Sequence, residues 1–275
     1  MGQDRNVRSQ SLAGRSVILT GASEGIGRAL ALELAARHAR LALAARDRDR
    51  LESLAQECRG RGGEAVAIPT DVANEHDCDW LVQETVKAFG GIDVLVHNAG
   101  ITMWSRFDEM KDLGIYEALM RVNYLGPVQL TAHALPHLKQ SRGLIVAVAS
   151  LAGMTGVPER TGYAASKHAM IGFFDSLRIE LAGSGVDVSV IAPDFVVSEI
   201  HKRAIGPDGQ PLGNSPMQQS KIMTAAECAA RIVRAIEKRE RLVLMSTRGQ
   251  LGRWLKILAP SWIDRIAARA IRERH

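Results

Sequence analysis

Short runs of almost continuous apolar residues alternate along this chain with longer stretches whose apolar residues recur every three or four positions. The first pattern reads as strands buried on both faces, the second as helices that bury one stripe. Strands are predicted at 16–20, 41–45, 65–68, 94–97, 144–149, 186–191 and 242–245. Helices are predicted at 26–38, 48–59, 75–89, in stretches from about 108 to 140, and at 162–181 and 225–237. Regular alternation of the two implies an α/β fold, a doubly wound (Rossmann) and mostly parallel sheet with helices on both faces, in a single domain. Residues 1–246 are assigned to that domain and 247–275 to a tail. The texture breaks at about 199–223, where Gly206, Pro207, Gly209, Pro211, Gly213 and Pro216 punctuate a long connection. A connection of that length in a compact domain reads as a lid.

With 275 residues, 46% of them hydrophobic, the chain can bury a large core. No apolar run is long enough to span a bilayer, and the polar, basic first fifteen residues precede no apolar stretch with a cleavage site. Neither a transmembrane helix nor a signal peptide is expected. Cys58, Cys78 and Cys228 are odd in number and widely spaced, which argues against disulfides and against any metal site, and fits a cytoplasmic location. A net charge of +5 is an ordinary solubility device unless it is concentrated.

Two clusters of residues carry chemistry. The first strand runs straight into Gly21, Ala22, Ser23, Glu24, Gly25, Ile26 and Gly27, which open the first helix. Glycines there let the backbone turn sharply and approach a pyrophosphate, whose charge the helix N-terminus favours. Tyr163 and Lys167 stand four residues apart in a predicted helix, hence on one face. An ammonium beside a phenol favours the phenolate and lowers a pKa ordinarily about 10, which makes the pair a tuned acid/base.

The Gly-x3-Gly-x-Gly spacing, with Ser150 thirteen residues before Tyr163 and with Asn123 upstream, resembles the compact single-domain short-chain dehydrogenase/reductase family over roughly residues 12 to 246. Residues 162–181 and the lid are similar to its hydroxysteroid-dehydrogenase-like branch. The resemblance implies an oxidoreductase acting on CH–OH groups with a catalytic set of Asn123, Ser150, Tyr163 and Lys167. Tyr163 would exchange the alcohol proton, Ser150 would bond the substrate oxygen, and Asn123 would hold a water linking Lys167 to solvent. The resemblance also makes Asp71, Val72, Asn98, Ala99, Gly100, Tyr163, Lys167, Pro193, Val196 and Ser198 cofactor contacts, beside Gly21, Ser23, Gly25, Ile26 and Gly27. Arg46 ends the second strand where an acidic residue would hold the ribose of NAD. Arg46 and Ser23 suit a 2′-phosphate instead, so NADP(H) is favoured over NAD(H). Two positions depart from the family: His97 replaces a usual asparagine and reads as a structural variant, and Asp194 replaces a glycine. Aspartate tolerates the left-handed backbone such a turn would need.

Ile101, Met103, Trp104, Met154, Val157 and Phe195 are expected around the reacting carbon, with no Arg or Lys in an obvious position to clamp an anionic substrate. Trp104, Ser150, Met154, Tyr163 and Phe195 are the predicted substrate contacts. A hydrophobic carbonyl or secondary alcohol, steroid-, lipid- or terpenoid-like, fits them. A 3-oxoacyl reductase acting on carrier-bound chains is the alternative enzyme, and a nonenzymatic NADPH-binding sensor or membrane-associated scaffold the alternative of another kind. By resemblance the protein is a homodimer or homotetramer, with Phe173, Phe174, Leu177 and Leu181 as apolar interface material. In the tail, Leu251, Trp254, Leu255 and Leu258 form one stripe and Ile263, Ile266, Ala267 and Ala270 another, amid seven arginines and lysines. Ser261 and Asp264 read as a capping box between them. Packing on protein is favoured over peripheral contact with an anionic membrane. Nucleic acid is not an expected partner, since no recognition motif accompanies the charge.

Overall fold

The computed structural model describes residues 10–197, 199–214, 222–262, 264–265 and 268. Seven strands form one parallel sheet: β1 (Ser16–Thr20), β2 (Arg40–Ala45), β3 (Glu64–Pro69), β4 (Val94–His97), β5 (Leu144–Val148), β6 (Asp187–Ala192) and β7 (Leu242–Leu244). They run in the order β3-β2-β1-β4-β5-β6-β7. The strand order reverses between β1 and β4, and ligands of open α/β sheets bind in the crevice at that point.

Because side chains alternate along a strand, each strand feeds two cores. Val17 and Leu19 of β1, with Val94 and Val96 of β4, pack under α1 (Gly25–Ala35), α2 (Arg48–Gly60) and α7 (Ala225–Lys238). Ile18 and Leu95 face the opposite way, toward α3 (Glu75–Phe89), α5 (Gly126–Ser141) and α6 (Thr161–Glu180). Phe174 of α6 is among the largest fully buried side chains. Burial of such a side chain contributes about 1.5–3 kcal/mol.

The predicted helical stretch before β5 is interrupted in a way that matters to the site. It comprises α4 (Gly114–Met120), a single π-helical stretch Arg121–Leu125, and then α5. Gly126 sets the junction, since a Cβ there would lie 2.5 Å from the Val72 carbonyl oxygen. The wide π turn carries Asn123 inward, fully buried.

The lid segment is partly folded onto the body. It forms a short turn at Glu199–His201, Ile205 bridges Met103, and His201 and Ala204 are buried. Residues 215–221 lie outside the described residues.

The tail begins with α8 (Thr247–Leu258), capped by Ser246, whose hydroxyl accepts from the Gly249 N–H at 3.0 Å. One side of α8 closes on the body: a Cβ at Gly249 would lie 2.6 Å from Leu151, and Lys256 Nζ donates to the Met154 carbonyl at 2.6 Å. The apolar stripe does not: Leu251, Trp254 and Leu258 are exposed and Leu255 is half-buried. The helix resumes at residue 260, with the Trp262 N–H donating to the Ala259 carbonyl, so Ser261 lies inside it and not at its cap. Of the second predicted stripe, 263, 266, 267 and 270 lie outside the described residues. No helix of the described residues is long and apolar enough to cross a membrane.

The interface expectation for α6 also changes. Phe174, Leu177 and Leu181 are spent in the core of the chain itself, leaving half-buried Phe173 and exposed Ile179. The helical period does not reveal which apolar residues a second layer of the same chain covers.

Candidate active site

A cleft of about 1080 Å³ opens at the carboxyl ends of the strands, and every predicted cofactor contact except Ser198 lines it. Ser198 lies outside the described residues. At one end stands the glycine turn. Gly21 and Gly25 hold φ of 64° and 53°, a left-handed backbone that favours glycine. Gly27 is the tightest position: a Cβ there would lie 2.0 Å from the Gly21 carbonyl oxygen and 2.7 Å from Asn98 Nδ2. Asn98 pins the turn, its amide donating to the carbonyls of Thr20 and Gly21 at 3.0 and 3.1 Å. Glu24 stands at the N-cap of α1 but its side chain does not cap the helix. Its carboxylate instead accepts from Arg50 and Arg203, at 3.2 and 2.6 Å. The first turn of α1 therefore keeps backbone donors for an anion.

Arg46 is exposed at the corner of the cleft after β2, immediately before Asp47, which caps α2 by accepting from the Arg50 N–H at 3.1 Å. Ser23 and Arg50 line the same cleft, and the sequence gives no signal for Arg50 because it is one of several charged residues in the first turns of α2. Asp71 and Val72 follow β3 on the cleft wall, with the Asp71 carboxylate accepting from the Ala73 N–H at 3.0 Å.

At the other end α6 presents Tyr163 and Lys167, both buried. Lys167 Nζ donates to the Val148 carbonyl at 3.0 Å and lies 5.9 Å from the centroid of the Tyr163 ring. Gly100 lies beside that ammonium; a Cβ on it would be 3.1 Å from Asn123 Oδ1 and 3.7 Å from Lys167 Nζ. The Asn123 amide accepts from the Ile101 N–H at 2.9 Å and donates to the Ile101 carbonyl and the Ser166 hydroxyl at 3.0 and 2.9 Å. It braces the backbone that crosses the floor of the cleft. Ser150 follows β5 and lines the cleft with Tyr163, its hydroxyl accepting from the Ala152 N–H at 3.2 Å. Burial raises the phenol's pKa, but Lys167, Arg160 and the Ser150 hydroxyl outweigh it and hold the group below its ordinary value. Burial draws the Lys167 ammonium down. The arrangement can move a proton between a phenol and an oxygen seated against Ser150.

Ile101, Trp104, Met154, Val157, Pro193, Phe195 and Val196 line the cleft at this end. Met103 does not; fully buried, it packs with Ile115 and Leu119 behind the wall. Successive residues after a strand point to opposite sides, and the sequence does not say which faces the ligand. His97 is fully buried, pushed down to about 3 by burial and by Lys167, and shares a hydrogen bond of 2.9 Å with Thr131. It is a neutral core residue. Asp194 does not adopt the expected left-handed backbone; its carboxylate accepts from the Phe195 N–H and from Ser246 at the start of α8. No arginine or lysine was expected in an obvious position to clamp an anionic substrate, yet a cation does line this end. Arg160, the residue just before α6, is buried within this end of the cleft.

Among the described residues no cluster of side chains has the makings of a metal site. The family model for short chain dehydrogenases matches residues 15–206. The chain belongs to the short-chain dehydrogenase family. Within the family it is 40% identical over 253 residues to 11-beta-hydroxysteroid dehydrogenase-like 4A of Arabidopsis thaliana, covering 92% of this chain and 83% of that one. It is 36% identical over 263 residues to 11-beta-hydroxysteroid dehydrogenase 1A of the same plant, covering 93% and 75%. Among solved structures, an alcohol dehydrogenase of the archaeon Thermococcus sibiricus complexed with 5-hydroxy-NADP matches with a TM-score of 0.73 at 26% identity, covering 83% of this chain and 94% of that one. This short-chain dehydrogenase is thus an oxidoreductase of the hydroxysteroid-dehydrogenase-like branch; the glycine turn and Tyr163–Lys167 spacing had implied the family, and residues 162–181 with the lid the branch.

Proposed function

We propose that this short-chain dehydrogenase moves a hydride between NADP(H) and a hydrophobic carbonyl or secondary alcohol of steroid-, lipid- or terpenoid-like character, with Tyr163 as general acid and base. The observation that carries the reading is the Tyr163 ring with the Arg160 guanidinium 4.2 Å and the Lys167 ammonium 5.9 Å from its centroid, in a cleft that joins the glycine turn to an apolar end. The cleft suits a dinucleotide: Gly27 lets the start of α1 close tightly on the Gly21 turn, and α1 offers backbone donors that no side chain caps. When bound, the nicotinamide supplies or accepts the hydride.

In this reading the chain's own residues do the rest. Gly21, Ser23, Gly25, Ile26 and Gly27 receive the phosphates, Asp71 and Val72 the adenine, Asn98 to Gly100 the ribose, and Pro193, Val196 and Ser198 the carboxamide. Ser150 donates to the substrate oxygen as negative charge develops, and Tyr163 supplies the proton in reduction or removes it in oxidation. Lys167 stabilises the phenolate. The Asn123 amide is committed to Ile101 and Ser166, so its part in a proton relay falls to its remaining lone pairs. Trp104, Met154 and Phe195 exclude water around the reacting carbon.

A panel of steroid, terpenoid and fatty carbonyls, with acyl chains on an acidic carrier included, followed by NADPH absorbance tests this reading. Turnover of a hydrophobic carbonyl is expected. Turnover confined to carrier-bound chains would favour the 3-oxoacyl reductase, and NADPH binding without turnover of any member would favour a sensor or scaffold.

Arg46 after β2 and Ser23 in the glycine turn after β1 support NADP(H) over NAD(H), as does the NADP derivative in the structurally similar archaeal enzyme. Arg46→Ala is expected to weaken NADPH binding about tenfold to a hundredfold, the loss of one charged hydrogen bond, and to leave NADH binding nearly unchanged. Fluorescence titration with both cofactors measures it; equal losses would mean that Arg46 does not read the 2′-phosphate.

The protein works, in this reading, as a homodimer or homotetramer in the cytoplasm. The row Leu251, Trp254 and Leu258, which the chain leaves exposed, is the surface that self-association would cover. Light scattering should give an oligomer that Trp254→Asp dissociates. A monomer that cosediments with anionic vesicles, and loses that binding in Trp254→Asp, would assign the row to a membrane surface.

A further inference from the structure

We propose that Arg160 is a second catalytic cation, stabilising the Tyr163 phenolate jointly with Lys167; the inference rests on the proposed acid/base role of Tyr163.

Arg160 is the last residue before α6, and the backbone delivers it inward. Glu159 takes φ of 63°, a left-handed conformation that a non-glycine residue adopts at a cost. The turn is pinned twice, by the Ser105 N–H donating to the Glu159 carbonyl at 2.8 Å and by Trp104 Nε1 donating to its carboxylate at 2.9 Å. Its product is an arginine only 5% exposed, with its guanidinium carbon 4.2 Å from the centroid of the Tyr163 ring, 5.4 Å from that of Trp104 and 5.9 Å from that of Phe195. Nη2 donates to the Thr102 hydroxyl at 2.7 Å, while buried Nε has no acceptor.

Among the described residues no carboxylate forms an ion pair with this guanidinium. A buried cation without a counter-charge is costly, and such groups persist where an anion meets them. The acidic groups nearby are directed elsewhere: the Glu159 carboxylate accepts from Trp104, and that of Asp194 from Ser246. The remaining titratable neighbours are His201, pushed down by burial and by Arg160, and His97, pushed down to about 3. Both stay neutral. Lys167 faces the phenol from the next turn of α6. Tyr163 is therefore the group against Arg160 that acquires negative charge during the reaction. In reduction its O–H bond breaks, the proton passes to the substrate oxygen and the electron pair stays on the phenolate, under the guanidinium. In oxidation the proton returns. Attraction that grows as the phenolate forms lowers the barrier, whereas Trp104 and Phe195 keep out the water that would screen it.

The test reads the phenol directly. The protein has three tyrosines, so in a Tyr116→Phe/Tyr124→Phe background the ultraviolet absorbance of tyrosinate reports Tyr163 alone. An opposite charge at this range shifts a pKa by about one to three units. Arg160→Met is expected to raise the Tyr163 midpoint by about one unit or more. Arg160→Gln, which keeps a donor for Thr102 without the charge, should do the same and carries the test if the Met variant does not fold. Arg160→Lys should hold the midpoint near that of the parent. The rising limb of kcat/KM for alcohol oxidation should move with the midpoint. A midpoint unmoved in a folded charge-removing variant would overturn the proposal. The titration needs no turnover, so a tyrosine that responds to Arg160 in a protein without activity would contradict the reductase reading alone.

Discussion

Tyr163→Phe is expected to reduce turnover by about a hundredfold to ten-thousandfold, the usual contribution of a positioned general acid or base. The substitution removes one oxygen and keeps the ring that packs under Arg160 and beside Lys167, so the wall of the cleft stays in place. NADPH binding should be nearly unchanged. Steady-state kinetics and a cofactor titration on the same preparation check both halves. Parent-like turnover would remove Tyr163 from the chemistry, and a parallel loss of NADPH binding would recast it as a structural residue.

Gly27→Ala should have an effect of similar size by another route. The added methyl would lie 2.0 Å from the Gly21 carbonyl oxygen and 2.8 Å from its carbon, both backbone atoms that no rotamer change can move. Overpacking of this kind costs about 1–3 kcal/mol in stability. The turn must open, so NADPH binding should fall by more than about a hundredfold, well beyond a single lost hydrogen bond. Gly172→Ala is the control. Gly172 lies exposed inside α6 with nothing within 4 Å of its would-be Cβ, and the same chemical change there should stabilise the protein by about 0.5–1 kcal/mol. Thermal melts and cofactor titrations of the two variants separate a local steric effect from a general intolerance of alanine.

The contrast between those glycines marks what the sequence carries and what it withholds. Strand and helix positions were legible because burial on two faces or one imposes distinct periods, and the expected cores at Val17, Ile18 and Leu19 divide by that alternation. Motif spacing also picked out residues that the fold brings together: the glycine turn and the Tyr163–Lys167 pair fall at opposite ends of one cleft. Sequence spacing failed where a single backbone angle decides direction. Arg160 reaches Tyr163 because Glu159 turns left-handed, and nothing in the pair Glu159–Arg160 announces that. Met103 and Trp104 are neighbours, yet one is core and the other lines the cleft. Phe174, Leu177 and Leu181 looked available for a partner because the period of a helix says that a face is covered but not by which chain. Asp194 stood where a left-handed turn was expected and instead ties the loop after β6 to the cap of α8, a contact between residues 52 apart in sequence.

Hydride transfer coupled to the Tyr163 proton is the central step. It is measured with NADPH carrying deuterium at the transferred position, incubated with a hydrophobic carbonyl, and mass spectrometry of the alcohol formed. The account predicts one deuterium on the carbinol carbon with the parent protein and almost none with Tyr163→Phe at equal cofactor saturation. Label transfer that is as fast in Tyr163→Phe, or alcohol formed without label, would contradict it.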